Sequence, residues 1–202
     1  MNDFALRLFN FAFVIDRNDI QKAVETLRSG GVIVYPTDTV WGIGCDATDS
    51  DAVRRVFALK RRADSKALIS LVADYAALER WVDDVPEVAF ELMEASDRPV
   101  TIVYDHPRGL APELLAPDGS AAVRVCGEEF TRALCRALRK PLVSTSANVS
   151  GAPTPASFAD ISAEILAGAD YVAASRRDET AGGKPSIVVK LSGSGVIKIL
   201  RG

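Results

Sequence analysis

Short apolar runs and amphipathic stretches alternate along the chain, and this alternation limits the fold more than any other feature. Residues 18–29 place Ile20, Ala23, Val24 and Leu27 on one face at helical spacing, with a cap at Asp16 or Asn18 and Gly30-Gly31 as a stop. Similar spacing predicts helices over 50–59, 75–82, 86–95, 128–138 and 158–166. Between them, β-rich runs predict strands over 32–35, 67–72, 100–104, 121–126, 141–145, 171–173, 186–191 and 196–200. The run at residues 9–15 reads as a first strand or a packed arm. No linker or internal repeat interrupts the pattern. The expectation is one α/β domain over residues 1–202, a twisted mixed β-sheet flanked by helices. The sheet should be mixed because the strands after Asp170 follow one another too closely for crossover helices. Ligands of such sheets sit beyond strand ends, so an open, positively charged cleft is expected there.

Composition narrows the chemistry. Hydrophobic residues make up 48% of 202, enough for a sizeable core. No apolar run approaches the roughly 20 residues a bilayer-spanning helix needs, and the expected location is the cytoplasm. Three scattered cysteines without CxxC spacing offer neither a disulfide framework nor a zinc site. The single histidine, His106, lies in a turn-like DHPRG and reads as a surface residue. Any reaction must therefore run on Lys, Arg, Ser, Thr, Asn and carboxylates. A net charge of −3 argues against gripping nucleic acid as the main task.

Four strand-end segments are unusually polar. In YPTDTVWGIG (35–44), Pro36 ends a strand, Thr37 and Thr39 offer hydroxyls, and Gly42 and Gly44 permit close backbone approach. The same residues would also serve as a turn and helix cap. Residues 54–66 carry six basic side chains (Arg54, Arg55, Lys60, Arg61, Arg62 and Lys66) against Asp64 alone. That exceeds what a helix dipole rewards, and a triphosphate would relieve the repulsion. A P-loop is excluded, since GxxxxGK[ST] is absent. In SAAVRVC (120–126), Arg124 interrupts an apolar strand and needs either an internal carboxylate or a ligand carboxylate. KPLVSTSANVSG (140–151) ends a strand in more hydroxyls than a turn requires, and KPSIVVK adds Lys184 and Ser186. This inventory suits a site that holds an anionic nucleotide and a small polar molecule and works by positioning and charge stabilisation.

Taken in order, these segments resemble the YrdC/TsaC family of threonylcarbamoyl-AMP synthases, in its short single-domain form. PTDTVWGIG is similar to the family's PTDTVYGLG, and LKRRADSKAL to its basic helix end and following strand. RPVTIVY, SAAVRVC, STSANVSGAPTP and PSIVV match its PGPxT, TVAVRVP, SAN-x-SG-x-P-x-P and ESTVV segments. The resemblance implies a YrdC-like fold and the condensation of L-threonine, bicarbonate and ATP, with Mg²⁺ on the phosphates. Partner proteins would then transfer the threonylcarbamoyl group to tRNA. It implies catalytic Lys60 and Arg62, and ATP held by Lys60, Arg62, Lys66, Ser120, Asn148 and Arg201. Threonine would meet Thr39, Arg124, Ser146 and Ser186, with Thr37, Ser144 and Lys184 lining the site. No metal ligands come from side chains; weak tRNA or RNA contact is implied, and no membrane contact.

The chain departs from the pattern at Trp41 (usually Tyr), Ala63 (Pro), Leu71 (His in many relatives), Ser96-Asp97-Arg98-Pro99 (Trp-Pro-Gly-Pro) and Ile187 (Thr). Two other readings compete: a non-catalytic RNA- or ribosome-binding paralogue, and a carbamoyl-adenylate-forming enzyme. The retained SAN-x-SG favours the synthase over the first. Carbamoyl-adenylate domains usually sit inside larger chains, which disfavours the second.

Overall fold

A computed structural model describes residues 16–61, 68–179, 183–192 and 197–202. The predicted arm over 9–15, and Arg62 and Lys66, lie outside the described residues. The first helix, α1 (Arg17–Arg28), starts where Asp16 accepts a hydrogen bond from the Asn18 amide at 2.9 Å. This is the favoured acceptor at a helix start. It buries Ile20, Ala23, Val24 and Leu27, the face its spacing predicts.

The other helices are α2 (Ser50–Leu59), α3 (Tyr75–Trp81), α4 (Glu87–Ala95), α5 (Glu129–Leu138) and α6 (Ala163–Gly168). The predicted helix over 158–166 is in fact a 3-10 turn at Phe158–Asp160 followed by α6. Ser162 breaks it by accepting from the Ile165 amide and starting a new helix.

Nine described strands form one sheet: β1 (Ile33–Tyr35), β2 (Gly42–Gly44), β3 (Ile69–Val72), β4 (Val100–Tyr104), β5 (Ala121–Val125), β6 (Leu142–Ser146), β7 (Tyr171–Val172), β8 (Ile187–Leu191) and β9 (Ile197–Arg201). Their order is β7-β1-β2-β6-β3-β5-β4-β8-β9. The β1–β7, β3–β5 and β4–β8 pairs are parallel and the rest antiparallel, so the sheet is mixed.

Strand β2 has no counterpart in the sequence reading, because Gly-Ile-Gly carries almost no β-propensity. Packing makes it a strand. A Cβ on Gly44 would sit 1.7 Å from the Val143 carbonyl oxygen, so only glycine lets the two backbones approach this closely. The Tyr35 hydroxyl donates to the same carbonyl at 3.0 Å, and burial holds that phenol well above its ordinary pKa. Trp41, 3% exposed, packs its indole 5.0 Å from the Phe158 ring, and Leu71 is fully buried in β3. Both departures from the family pattern are thus core positions here. His106 is exposed, as its turn setting predicts.

Candidate active site

The site is built on the loop between β1 and β2. The Thr37 hydroxyl donates to the Val40 carbonyl at 2.6 Å and accepts from the Thr39 and Val40 amides at 3.1 and 3.2 Å. The Thr37 and Thr39 hydroxyls are 3.1 Å apart. The Thr131 hydroxyl on α5 shares its one proton between the Pro36 carbonyl of this loop at 3.0 Å and the Glu128 carboxylate at 2.8 Å.

Thr39, Arg124, Ser144, Ser146, Ser186 and Arg201 line one cleft of about 300 Å³. It crosses the sheet from β2 and β6 to the β8–β9 edge, so it lies over the sheet as well as beyond strand ends. Among the described residues its lining carries two guanidinium groups, of which Arg124 is ion-paired with Asp38. Arg124, 5% exposed, meets the Asp38 carboxylate at 2.8 Å; the internal partner that a strand arginine requires is Asp38. Arg201 donates through Nε and Nη2 to the Ser186 carbonyl at 3.1 and 3.0 Å, and through Nη2 to the Ser186 hydroxyl at 2.9 Å. The Ser186 and Thr101 hydroxyls are 3.0 Å apart.

Other expected residues lie differently. Lys60 is 2% exposed, and its ammonium donates to the Ser146 and Asn148 carbonyls at 2.5 and 2.6 Å. It therefore faces the strand-end turn, because a buried ammonium must satisfy its donors with the nearest carbonyls. The Asn148 amide nitrogen donates to the Val149 and Ala152 carbonyls, and Oδ1 is buried with no partner among the described residues.

Ser120 does not line the cleft. It precedes β5 at the end away from Arg124, where its hydroxyl donates to Asp118 at 2.6 Å beside Lys190. Lys184 is exposed and outside the lining.

The basic stretch is largely neutralised within the protein. Arg54 pairs with Asp51 and Glu113, Arg55 with Asp170, and Arg61 with Glu164. The charge repulsion that pointed to a triphosphate is thus relieved for these residues.

Sequence reasoning missed two contributors. Thr154 lines the cleft from the loop after β6. Asp38 stood in plain view between two threonines, but its partner is 86 positions away. A larger hollow of about 500 Å³ between α3 and α5 carries Arg80, Arg136, Arg139 and Lys140. It shares no residue with the cleft, and the cleft, where four separate motifs converge, is the better candidate.

A family model described as telomere recombination, that of the Sua5, YciO and YrdC proteins, matches residues 25–202. The chain belongs to this Sua5/YciO/YrdC family. Within it, the threonylcarbamoyl-AMP synthase of Idiomarina loihiensis is 34% identical over 168 residues, covering 82% of this chain and 88% of its own. The structure of P. abyssi Sua5 complexed with L-threonine is 28% identical with a TM-score of 0.81. That comparison covers 90% of this chain but only 53% of Sua5, so the chain spans about half of that longer protein. E. coli YciO matches with a TM-score of 0.77 and 28% identity, covering 90% of this chain and 87% of its own. Among the described residues, no helix is long and apolar enough to cross a membrane.

Proposed function

We propose that the protein is a threonylcarbamoyl-AMP synthase, a nucleotidyltransferase that condenses L-threonine, bicarbonate and ATP to threonylcarbamoyl-AMP, pyrophosphate and water. One observation carries the reading beyond family membership: Thr39, Arg124, Ser146, Ser186 and Arg201, from motifs scattered over the chain, share one cleft. In this reading Arg124 receives the α-carboxylate of threonine, and Thr39, Ser146 and Ser186 offer hydroxyls to its amine and side chain. The neutral amine takes up the bicarbonate carbon with loss of water. The resulting carbamate oxygen attacks the α-phosphate, and the bond to pyrophosphate breaks.

Asn148 Oδ1, a buried acceptor with no partner among the described residues, suits a donor on the nucleoside. Arg201 joins the two halves, since it grips Ser186 while lining the cleft. Arg62 and Lys66 keep their proposed place on the phosphates. Lys60 acts through the turn it holds. Mg²⁺ would arrive on the phosphates of ATP. Catalysis is then mainly positioning and charge stabilisation, in a wall that shields a labile carbamate from water. The product would pass, in the cytoplasm, to proteins that modify tRNA.

The test is pyrophosphate release from ATP, bicarbonate and Mg²⁺ with and without L-threonine. Release should require threonine. Release without it, or release driven by carbamoyl phosphate, would overturn the assignment.

A further inference from the structure

We infer that Asp38 is a positioning residue that grips the Arg124 guanidinium from behind the cleft wall, so that a substrate carboxylate meets it in one orientation. The inference rests on the reading that Arg124 receives that carboxylate. Arg124 lines the cleft, whereas Asp38 does not. With Arg98, Val125 and Gly127, Asp38 borders a separate hollow of about 310 Å³. The 2.8 Å ion pair therefore spans the wall between the two spaces.

Burial decides what such a pair does. The side chains are 5% and 13% exposed, so solvent screens the pair only weakly, and among the described residues each is the other's ion-pair partner. A guanidinium is a planar fork, and holding one arm fixes where the others point. The grip is a single hydrogen bond, from Arg124 Nη2 to Asp38 Oδ1. Arg124 Nε is buried with no partner among the described residues, a donor that an incoming carboxylate can satisfy.

Asp38 is also unable to follow the arginine if it moves. Its backbone is held on one side by the Thr131 bond to the Pro36 carbonyl. Arg176, paired with Glu128 at 3.1 Å, lies 3.5 Å from the Thr37 carbonyl. Gly183 lies against the other side, where a Cβ would come within 2.4 Å of the Asp38 carbonyl oxygen. The loop thus serves as a rigid bracket and Asp38 as its fastening to Arg124.

The experiment is steady-state pyrophosphate release by the full chain, with threonine and ATP varied separately. It compares Asp38→Asn, Asp38→Glu, Arg124→Ala and the Asp38→Asn/Arg124→Ala pair. Asparagine keeps the size of Asp38 while removing its charge, and melting curves verify that each variant is folded. Asp38→Asn should raise the threonine KM by about tenfold or more while the ATP KM stays within about twofold. Asp38→Glu should recover part of that loss, because the hollow leaves room for the longer carboxylate.

In the Arg124→Ala background, Asp38→Asn should add nothing, since the group it positions is gone. An equal effect of Asp38→Asn in both backgrounds would overturn the positioning role while leaving Arg124 in the site. So would an unchanged threonine KM in Asp38→Asn alongside a raised one in Arg124→Ala. An unchanged threonine KM in Arg124→Ala would instead overturn the site reading itself, and the role of Asp38 with it.

Discussion

The Lys60 ammonium sits between the carbonyl oxygens of Ser146 and Asn148, and the Lys60 carbonyl accepts from the Ser150 amide at 2.9 Å. The end of α2 and the turn after β6 are therefore one mechanical unit, joined through both the side chain and the backbone of a single residue. Ser146 reaches the cleft on that turn.

Lys60→Met keeps the apolar stem and removes the donors. It should lower stability by roughly 1–3 kcal/mol, because buried carbonyls lose a charged partner. For a chain of this size that corresponds to a Tm drop of roughly 3–10 °C. Differential scanning calorimetry checks it. An unchanged Tm together with lost activity would return Lys60 to direct contact with the nucleotide.

Arg201 grips Ser186 through two nitrogens, so the two proposed substrate contacts are not independent. Arg201→Ala should raise the KM for ATP and for threonine together, each by about tenfold. Varying one substrate at a time separates this from the threonine-only effect expected at Asp38. A change confined to ATP would show that Ser186 holds its place without Arg201.

Gly44→Ala tests the steric origin of β2. The added methyl would meet a backbone carbonyl 1.7 Å away, and a backbone atom in a central strand pair cannot swing aside as a side chain can. Destabilisation should exceed about 3 kcal/mol. Gly119→Ala, whose added carbon meets nothing within 4 Å but sits at φ +80°, should be far milder. Urea unfolding midpoints of the two variants compare the effects directly.

Asp19 gives a pH signature. Burial pushes its carboxyl up, but bonds from the Ser175 and Tyr171 hydroxyls and the Ala174 and Ser175 amides outweigh that. They hold its pKa below the ordinary 3.8. A carboxyl depressed on folding adds stability above its unfolded value, and that stability is lost as pH falls through the folded value. Asp19→Asn should therefore be clearly less stable than the parent at pH 6. The gap should close as pH drops below about 3.8. Melting curves across pH 2.5–7 show whether the two lines converge.

Much of the fold was legible because its signals are local. The spacing of Ile20, Ala23, Val24 and Leu27 determines a helix face whatever surrounds it, and Asp16 caps that helix through a residue two positions away. Strand β4 falls on the residues its apolar run predicts. The convergence of Thr39, Arg124, Ser146 and Ser186 was legible through the order of motifs, each of which ends or begins a strand.

What the sequence by itself determined is most of the helices and strands, those whose period, caps and breakers act within a few residues; β2 and the break at Ser162 needed their surroundings. The tertiary structure alone decided which way each charge turns. Lys60 turns inward because strand pairing brings the Ser146 and Asn148 carbonyls against the end of α2. Ser120 leaves the cleft because it stands at the far end of β5 from Arg124. Arg124 takes Asp38, 86 residues distant, because the β1–β2 loop brings Asp38 to β5 across the two strands, β6 and β3, that separate β2 from β5 in the sheet. A buried charge must find its partner among whatever the fold places beside it, and no local pattern specifies that neighbour.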